Sequence, residues 1–514
     1  MTNGVSAIEY HERTKHTPES VRGGPGLDFD NQPRPYKIYE DLPSISMAES
    51  MTEPSFPTLR AIATPIHPDS ATTSTVDQAA LADLCYYAAG ITKTISRRGH
   101  EHEFRAAACT GALYHIDLYS VCGDLPGLEA GVYHFDPRTN ALERLRSGDY
   151  RGVLADATHD STVERAPVTF IATSTWWRNA WKYRARTYRH AFWDSGTILA
   201  NLLGTARAHG LPARVVLGFA DSPVATLLGI DPDWEAPLEL IPVGAGEPVP
   251  EPITVESIDP STKPLTSDPV DYPLIYQAWH GSTLPDGTAA RKWRNSGERP
   301  VDGRDPDDNE RVNLDPVGSD VASSRPLANT IKRRGSCRQY NRDSLSFRKV
   351  STVLDRAMRG LPMDVLADGD ETDTTGSPRQ LVDCYLLVNG VEDIEPGAYQ
   401  YHPDIGALEL LHTGEYRQEA GHLALDQQLG ADAAVCIYFM ADLTAVTDVL
   451  GDRGYRAAQL EAALTAGRLY LATYAHRDLG GTGLTFYDDV VTEFFEPRST
   501  GQTPMFLFTV GRPA

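Results

Sequence analysis

A group of cationic and hydroxyl side chains in the second half of the chain has the composition of a phosphate site. Arg334, Ser336 and Arg338 lie close together, just before a stretch whose apolar spacing predicts a helix over Lys349–Leu361. Guanidinium groups bind phosphate oxygens through charge-assisted hydrogen bonds, and a serine hydroxyl adds a further donor. Arg512 near the end of the chain supplies another cation if a sheet brings both ends of this half together. Considered alone, the same residues also suit a solvated basic turn.

The elements that position this group belong to an internal repeat. The segment Gly131–Pro137 resembles Gly397–Pro403 at a shift of 266 residues, and Arg186–Arg189 resembles Arg453–Arg456 at a shift of 267. The matches continue in this register to the final strand of each copy. So many identities in one register are not expected by chance, and the sequence therefore predicts a duplicated domain.

Composition divides the chain around the two copies. Residues 76–245 are predicted to form the first copy and residues 326–514 the second. Residues 246–325 are dense in Pro, Asp, Gly and Thr, which favours a long linker, and an aromatic cluster at Tyr276–His280 is expected to dock it on a domain. Residues 1–75 are also rich in proline and are predicted to form an extended arm over the surface.

The predicted elements of each copy follow one order: helix, strand, hairpin, strand, long helix, strand. This order indicates an α+β fold in which helices sandwich a sheet. The long helices predicted at Ala191–His209 and Ala457–His476 are mostly apolar. Helices of this kind are typical of a buried dimer interface.

The composition argues against several kinds of function. A net charge of −23 argues against nucleic acid as the main partner. The six cysteines show no CxxC spacing, which argues against a disulfide framework or a metal site and fits a reducing cytoplasm. The sequence has no apolar stretch near the ~20 residues of a membrane span and no signal-peptide pattern at its start. A cytoplasmic protein that does not enter the membrane is predicted.

Two motifs resemble a known family. The pattern Arg-Arg-x-Ser-x-Arg-x-aromatic at Arg333–Tyr340 resembles the FMN-phosphate segment of the nitroreductase superfamily. The string Lys-Tyr-x-x-Arg-x-Tyr-Arg at Lys182–Arg189 resembles the SagB-type thiazole/oxazole dehydrogenases, also called thiazoline oxidases, and so does the N-terminal segment Tyr10–His16. The resemblance covers most of the chain outside the predicted linker. It implies two tandem nitroreductase-like, FMN-binding domains that form an intramolecular pseudo-dimer.

Members of this superfamily are dimers whose FMN sites draw on both subunits, and here the two sets of residues are divided between the copies. The resemblance assigns cofactor contacts to Arg334, Ser336, Arg338, Gly480, Gly481 and Arg512 of the second copy and to Arg105, Cys109, Thr110 and Gly111 of the first. The first copy has Ala245 opposite Arg512, and the second has Glu371–Ser377 in the register of the segment from Arg105. The usual Pro-Ser of that segment is Ala108-Cys109 here. Each copy has lost what the other retains, which predicts one intact FMN site.

Lys182 and Tyr183 are the candidate catalytic residues. Aromatising an azoline transfers a hydride to the flavin and a proton to a base. A lysine or tyrosine whose pKa is depressed by cationic neighbours can accept that proton. The second copy has Val449 and Leu450 at the matched positions, so this pair is expected at the intact site only. The sequence leaves open which of the two residues is the base.

The leading hypothesis is an FMN-dependent dehydrogenase or oxidase that acts on a thiazoline or oxazoline in a peptide or on a carrier. A cyclodehydratase complex is the expected partner, O2 or another acceptor reoxidises the flavin, and further association of the pseudo-dimer stays open. One alternative is an NAD(P)H-dependent nitro or quinone reductase, which would need no dedicated base. Another is a non-catalytic scaffold of a peptide-modification complex, which would need no phosphate site.

Overall fold

The computed structural model describes residues 4–22, 26–63, 66, 74–97, 99–296, 306–307, 309–318, 325–365 and 380–514. Its strands are β1 (Ser44–Ser46), β2 (Ile91–Arg97), β3 (His100–Arg105), β4 (Ile116–Cys122), β5 (Gly131–Asp136), β6 (Ala141–Ser147), β7 (Val168–Thr175), β8 (Glu235–Val243), β9 (Arg311–Asn313), β10 (Tyr340–Asn341), β11 (Asp383–Val388), β12 (Gly397–His402), β13 (Ala407–Thr413), β14 (Val435–Ala441), β15 (Gly480–Leu484) and β16 (Thr503–Pro513). Its helices are α1 (Ala7–Arg13), α2 (Pro18–Val21), α3 (Thr58–Ala63), α4 (Gln78–Ala89), α5 (Arg151–Thr158), α6 (Trp176–Tyr183), α7 (Thr187–Ala208), α8 (Asp221–Leu228), α9 (Pro273–Gly281), α10 (Gly287–Arg294), α11 (Leu327–Arg333), α12 (Phe347–Ala357), α13 (Arg417–Leu423), α14 (Gln428–Asp432), α15 (Leu443–Leu450), α16 (Arg453–Ala475) and α17 (Asp488–Phe495). None of the described helices is both long and apolar enough to cross a membrane.

Two antiparallel sheets repeat one topology. The first has the strand order β1-β6-β5-β4-β7-β8, and the second contains the corresponding order β9-β13-β12-β11-β14-β16, extended by β10 and β15. The central strands β4, β7, β11 and β14 are buried along their whole length. Strands buried on both faces have near-continuous apolar sequences because helices cover the sheet on each side. The predicted duplicated α+β fold is confirmed.

The segment 246–325, predicted to be a linker, contains helices and a strand that repeat parts of the arm. Helix α9 begins 266 residues after α1, and β9 begins 267 residues after β1. Ser44 of β1 pairs with Glu143, and Arg311 of β9 pairs with Glu409 at the equivalent place in the second sheet. We infer that the duplicated unit includes the arm. Composition hid this similarity because both segments are dominated by proline and polar residues.

The two copies meet along the long helices α7 and α16, as predicted from their apolar character. A Cβ on Gly196 would lie 2.7 Å from the backbone nitrogen of Leu464, and one on Gly467 would lie 2.6 Å from Ala200 Cβ. Real Cβ atoms do not approach backbone atoms so closely, so glycine is required for the helices to pack at this distance.

Two buried ion clusters also join the copies. In the first, Arg186 and Arg189 of α7 contact the carboxylate of Asp488 in the other copy, at 3.1 and 2.6 Å. In the second, Arg453 and Arg456 of α16 contact Asp221 at 2.6 and 2.8 Å, listed by the same shift along the chain. Because buried charges persist only when they are paired and hydrogen-bonded, these arginines act as structural partners between the copies.

Short N-terminal helices cover the two clusters in equivalent ways. Helix α1 covers the first, where Arg189 donates to the carbonyl of His11 at 2.7 Å. Helix α9 covers the second, where Arg456 donates to the carbonyl of Trp279 at 2.9 Å. This is the structural reason why the arm and the predicted linker both fold against the pseudo-dimer interface.

Candidate functional site

A cavity of about 1200 Å³ lies between the two copies. Its walls come from three parts of the first copy and two of the second. The residues used below are Asp28, Cys109, Thr110, Gly111, Trp177, Trp181, Lys182, Tyr183, Arg184 and Asp194 of the first copy and Ser336, Arg338, Tyr470, Thr482, Gly483, Leu484 and Thr485 of the second. The structure therefore brings seven of the predicted site residues to one cavity: Cys109, Thr110, Gly111, Lys182, Tyr183, Ser336 and Arg338.

Asp194 of α7 holds the first-copy wall in place. Its carboxylate accepts hydrogen bonds from the Cys109 thiol at 3.0 Å and from the amide and hydroxyl of Thr110, both at 2.8 Å. It also contacts His115 Nε2 at 2.9 Å. Burial and the neighbouring Asp194 raise the pKa of Cys109 well above its ordinary value. Cys109 is therefore a neutral thiol that orders this wall.

Lys182 and Tyr183 end α6 and face the same cavity. The Tyr183 ring packs edge-on against His190 with centroids 4.6 Å apart, and Lys182 Nζ lies 5.1 Å from the centre of the Tyr183 ring. Gly111 has a φ of 65°, and a Cβ there would lie 2.8 Å from the Tyr183 hydroxyl. Glycine at this position thus makes room for the Tyr183 side chain.

The expectation of a depressed pKa is wrong for Tyr183. Burial raises the pKa of this phenol, and Asp194 and Cys109 raise it further, whereas Arg338 lowers it by less. Sequence reasoning weighed the nearby cations but could not see the burial or the carboxylate from α7. Tyr183 is therefore a protonated phenol at neutral pH that can donate a hydrogen bond into the cavity.

The second-copy wall offers donors suited to an anion and a planar ring. Ser336 and the exposed Arg338 follow α11, and the stretch from Thr482 to Thr485 lies at the end of β15. Thr485 Oγ1 is buried and has no hydrogen-bond partner among the described residues. A buried hydroxyl without a partner beside a cavity is a candidate contact for a bound group.

Arg334 and Arg105 do not lie among the cavity-lining residues. Arg334 donates to the carbonyls of Ala106 and Arg105 at 3.0 and 3.1 Å, across the boundary between the copies. Arg105 is buried and donates to the carbonyls of Pro35 and Ile116 at 2.6 and 3.4 Å. We therefore revise their proposed role, from cofactor contacts to residues that position the wall beginning at Ala106.

The predicted glycine loop is a strand. Gly480 and Gly481 belong to β15, which pairs with β16, and a Cβ on Gly481 would lie 2.5 Å from the Phe508 ring. The cavity is lined instead by the residues that follow, from Thr482. Arg512 lies on β16 with its guanidinium 3.6 Å from Asp343 and 3.9 Å from Asp478, outside the cavity lining.

The equivalent position in the opposite arrangement of the copies is filled by protein. The amides of Leu217 and Gly218, which correspond to Leu484 and Thr485 at a shift of 267, donate to the carboxylate of Asp364 at 2.9 and 2.8 Å. Arg294 donates to the carbonyl of Gly218 at 2.7 Å. The backbone positions that border the open cavity in one copy are thus covered in the other.

The counterpart of the Lys-Tyr pair is covered as well. Trp293 of α10 donates from its indole nitrogen to the carbonyl of Leu450 at 2.7 Å, where the first copy has Tyr183. The segment Glu371–Ser377, predicted to be the degenerate counterpart of the wall at Cys109, lies outside the described residues.

Sequence reasoning missed Asp194 and Thr485 as site residues. Asp194 matches Glu461 in the second copy, so the repeat showed no contrast that would mark it. Thr485 follows the glycines that were singled out and matches Gly218, a difference that could have drawn attention to it.

Comparison with known proteins identifies related sequences and a related structure. A family model described as the nitroreductase family matches residues 130–245 and 331–512. The trifolitoxin-processing protein TfxB of Rhizobium leguminosarum bv. trifolii is 32% identical over 30% of this chain and 43% of its own length. The microcin B17-processing protein McbC of Escherichia coli is 28% identical over 25% of this chain and 49% of its own. The chain thus spans less than half of each of these two relatives.

One solved structure matches over nearly the whole length. It is a protein from Anabaena variabilis described as a nitroreductase, with a TM-score of 0.77, 25% sequence identity and coverage of 99% of both chains. The tandem arrangement therefore exists as one architecture in another protein.

Proposed function

Since the matched regions make up more than half of the sequence, the chain belongs to the nitroreductase family, and we propose that it is an FMN-dependent oxidoreductase that dehydrogenates a thiazoline or oxazoline in a peptide. The observation that carries this proposal is the interface cavity. Ser336 and Arg338 of one copy and Lys182 and Tyr183 of the other border the same space.

The residues that border the cavity fit an FMN. Ser336 and Arg338 would hold its phosphate, because a hydroxyl and a guanidinium give charge-assisted hydrogen bonds to phosphate oxygens. The stretch from Thr482, with the unpartnered Thr485 hydroxyl, and the wall at Cys109 would flank its ring system. Ligand pockets commonly have volumes of roughly 300–1,000 Å³. A cavity of about 1200 Å³ therefore has room for a cofactor together with part of a substrate.

Bound FMN would supply a two-electron acceptor, and the residues of this chain would manage the proton and the substrate. Lys182, exposed at the cavity wall, is placed to take the proton released when the ring becomes aromatic. Tyr183, which stays protonated, would donate a hydrogen bond that orients the substrate. The indoles of Trp177 and Trp181 provide an apolar wall that displaces water from the ring.

A peptide substrate is supported by the two relatives that process trifolitoxin and microcin B17. A peptide heterocycle must first be formed by a cyclodehydratase, so we propose such an enzyme as a functional partner. The family name also favours reduction of nitro compounds or quinones with NAD(P)H as a second candidate. A reductase of that kind would have no use for the Lys182-Tyr183 pair.

The test is to incubate FMN-loaded protein in air with a thiazoline-containing peptide and to follow the peptide by mass spectrometry. We expect loss of two hydrogens and formation of a thiazole, dependent on bound flavin. A parallel reaction supplies NADPH with a nitroaromatic compound. Rapid nitro reduction together with an unchanged thiazoline peptide would favour the reductase and contradict the proposal.

A further inference from the structure

Arg184 lines the cavity in a backbone conformation that arginine rarely adopts. It follows Tyr183 at the end of α6 and has a φ of 51° and a ψ of −136°. Residues other than glycine seldom adopt this region because the Cβ atom clashes with the neighbouring peptide groups. Such a residue destabilises the fold, and it persists where the side chain has a use that outweighs this effect.

The second copy shows what the position requires when no such use exists. The equivalent residue is Gly451, which ends α15 with a φ of 60° and a ψ of −167°. Both residues close their helix in the same way, because the Arg184 amide donates to Ala180 and the Gly451 amide to Thr447 at the equivalent place. A Cβ on Gly451 would meet nothing within 4 Å, so glycine is present there for its backbone freedom and not for lack of space.

The Arg184 side chain is free to bind. It is exposed at the cavity, and among the described residues its guanidinium has no hydrogen-bond or ion-pair partner. Lys182 lies beside it in the wall, also without an anionic partner in the described part of the chain. Of the acidic residues that line the cavity, Asp194 is fully engaged by the wall, and Asp28 accepts a hydrogen bond from the amide of Asp30.

This arginine is separate from the proposed phosphate site. Ser336 and Arg338 approach from the second copy, whereas Arg184 approaches from the end of α6 in the first. A guanidinium presents several donors in a fixed plane and matches a carboxylate with two parallel hydrogen bonds. An unpartnered guanidinium beside the proposed catalytic pair is thus arranged to bind an anion on the substrate.

We propose that Arg184 binds a carboxylate of the substrate and so selects substrates with an anionic group close to the heterocycle. This inference rests on the proposed function for the identity of the ring, but anion recognition is tested separately from oxidation. The carboxylate has two sources of the same chemistry: a ring at the C-terminus of the peptide, or an acidic side chain next to the ring.

Binding to the FMN-loaded full chain is measured by calorimetry with thiazole products as probes. The probes are phenylthiazole carboxylate, the matching carboxamide, and the carboxamides formed with glutamate and with glutamine. We expect at least one acid to bind about tenfold or more tightly than its neutral partner, since hydrogen bonds to charged groups are the stronger ones. The acid that shows this preference identifies the source of the carboxylate.

Three substitutions separate charge from backbone strain. In Arg184→Gln the ratio of acid to amide affinity should fall to near one, and in Arg184→Lys part of the preference should remain. In Arg184→Gly the preference should also disappear, and the melting temperature should rise by about 1–2 °C because glycine adopts this conformation without strain. A residue with a purely structural role would change stability without changing the affinity ratio.

The inference is overturned if the parent binds acids and amides equally or binds none of the probes. It is also overturned if Arg184→Gln weakens FMN binding as much as Arg338→Gln, since Arg184 would then belong to the cofactor site. Oxidation of a neutral thiazoline peptide without any preference for acids would leave the proposed function standing and remove this inference. An Arg184-dependent preference without any thiazoline oxidation would do the reverse.

Discussion

Replacing Lys182 with alanine should lower the rate of thiazoline oxidation by about 10²–10⁴-fold while the protein remains yellow and folded. That is the usual contribution of a positioned general base. The separation is expected because Lys182 belongs to the first copy and the proposed phosphate residues Ser336 and Arg338 belong to the second. Tyr183→Phe should cost less, since burial keeps this phenol protonated and its proposed role is to donate a hydrogen bond.

Turnover, flavin content and thermal stability must be measured together, because damage to the fold would lower all three. Lys332→Ala is a matched control: this lysine pairs with Glu53 on the surface and does not line the cavity. A folded double variant, Lys182→Ala with Tyr183→Phe, that oxidises its substrate within a few-fold of the parent would contradict the assignment.

Asp488→Ala should destabilise the protein by about 3–5 kcal/mol, as expected when one partner of a buried ion pair is removed. The Asp488 carboxylate pairs with Arg186 and Arg189, and both guanidiniums would lose their anionic partner. Asp489→Ala is the matched control. Asp489 is exposed and pairs with Lys15 at 2.8 Å on the surface, and such pairs contribute less than about 1 kcal/mol. Denaturant titration measures both changes.

The effect of Asp488 should depend on pH with a defined sign. Burial raises the pKa of this carboxyl, but Arg186 and Arg189 lower it further, so that it lies below its ordinary range in the folded state. A group of this kind stabilises the fold above its unfolded pKa, and that stabilisation is lost as the pH falls. The difference between parent and Asp488→Ala should therefore narrow below about pH 4. Equal losses for Asp488→Ala and Asp489→Ala would contradict the account of the interface.

The repeat made much of the fold predictable. Because Arg186 and Arg189 recur as Arg453 and Arg456, the sequence favoured a structural role for them, and the structure places both pairs in buried clusters. Periodicity likewise indicated the long interface helices, since apolar spacing is a local property of the sequence.

Features that depend on residues distant in sequence could not be predicted in the same way. The pKa of Tyr183 depends on burial against a wall that Asp194 of another helix holds in place. Arg334 matched the motif as well as Arg338 did, yet only the packing of the copies shows that it donates to Arg105 and Ala106. The closure of the second position by Asp364 was likewise visible only in three dimensions.

The central claim is that the two copies build one cofactor site. It is tested most directly by reconstituting the full chain with FMN, removing unbound flavin, denaturing the protein and measuring released flavin against protein. One open cavity and an equivalent position closed by Asp364 and Arg294 predict a ratio close to one flavin per chain. A ratio near two would show that the covered position also binds the cofactor, and a ratio near zero would show that the cavity does not; either result would contradict the account.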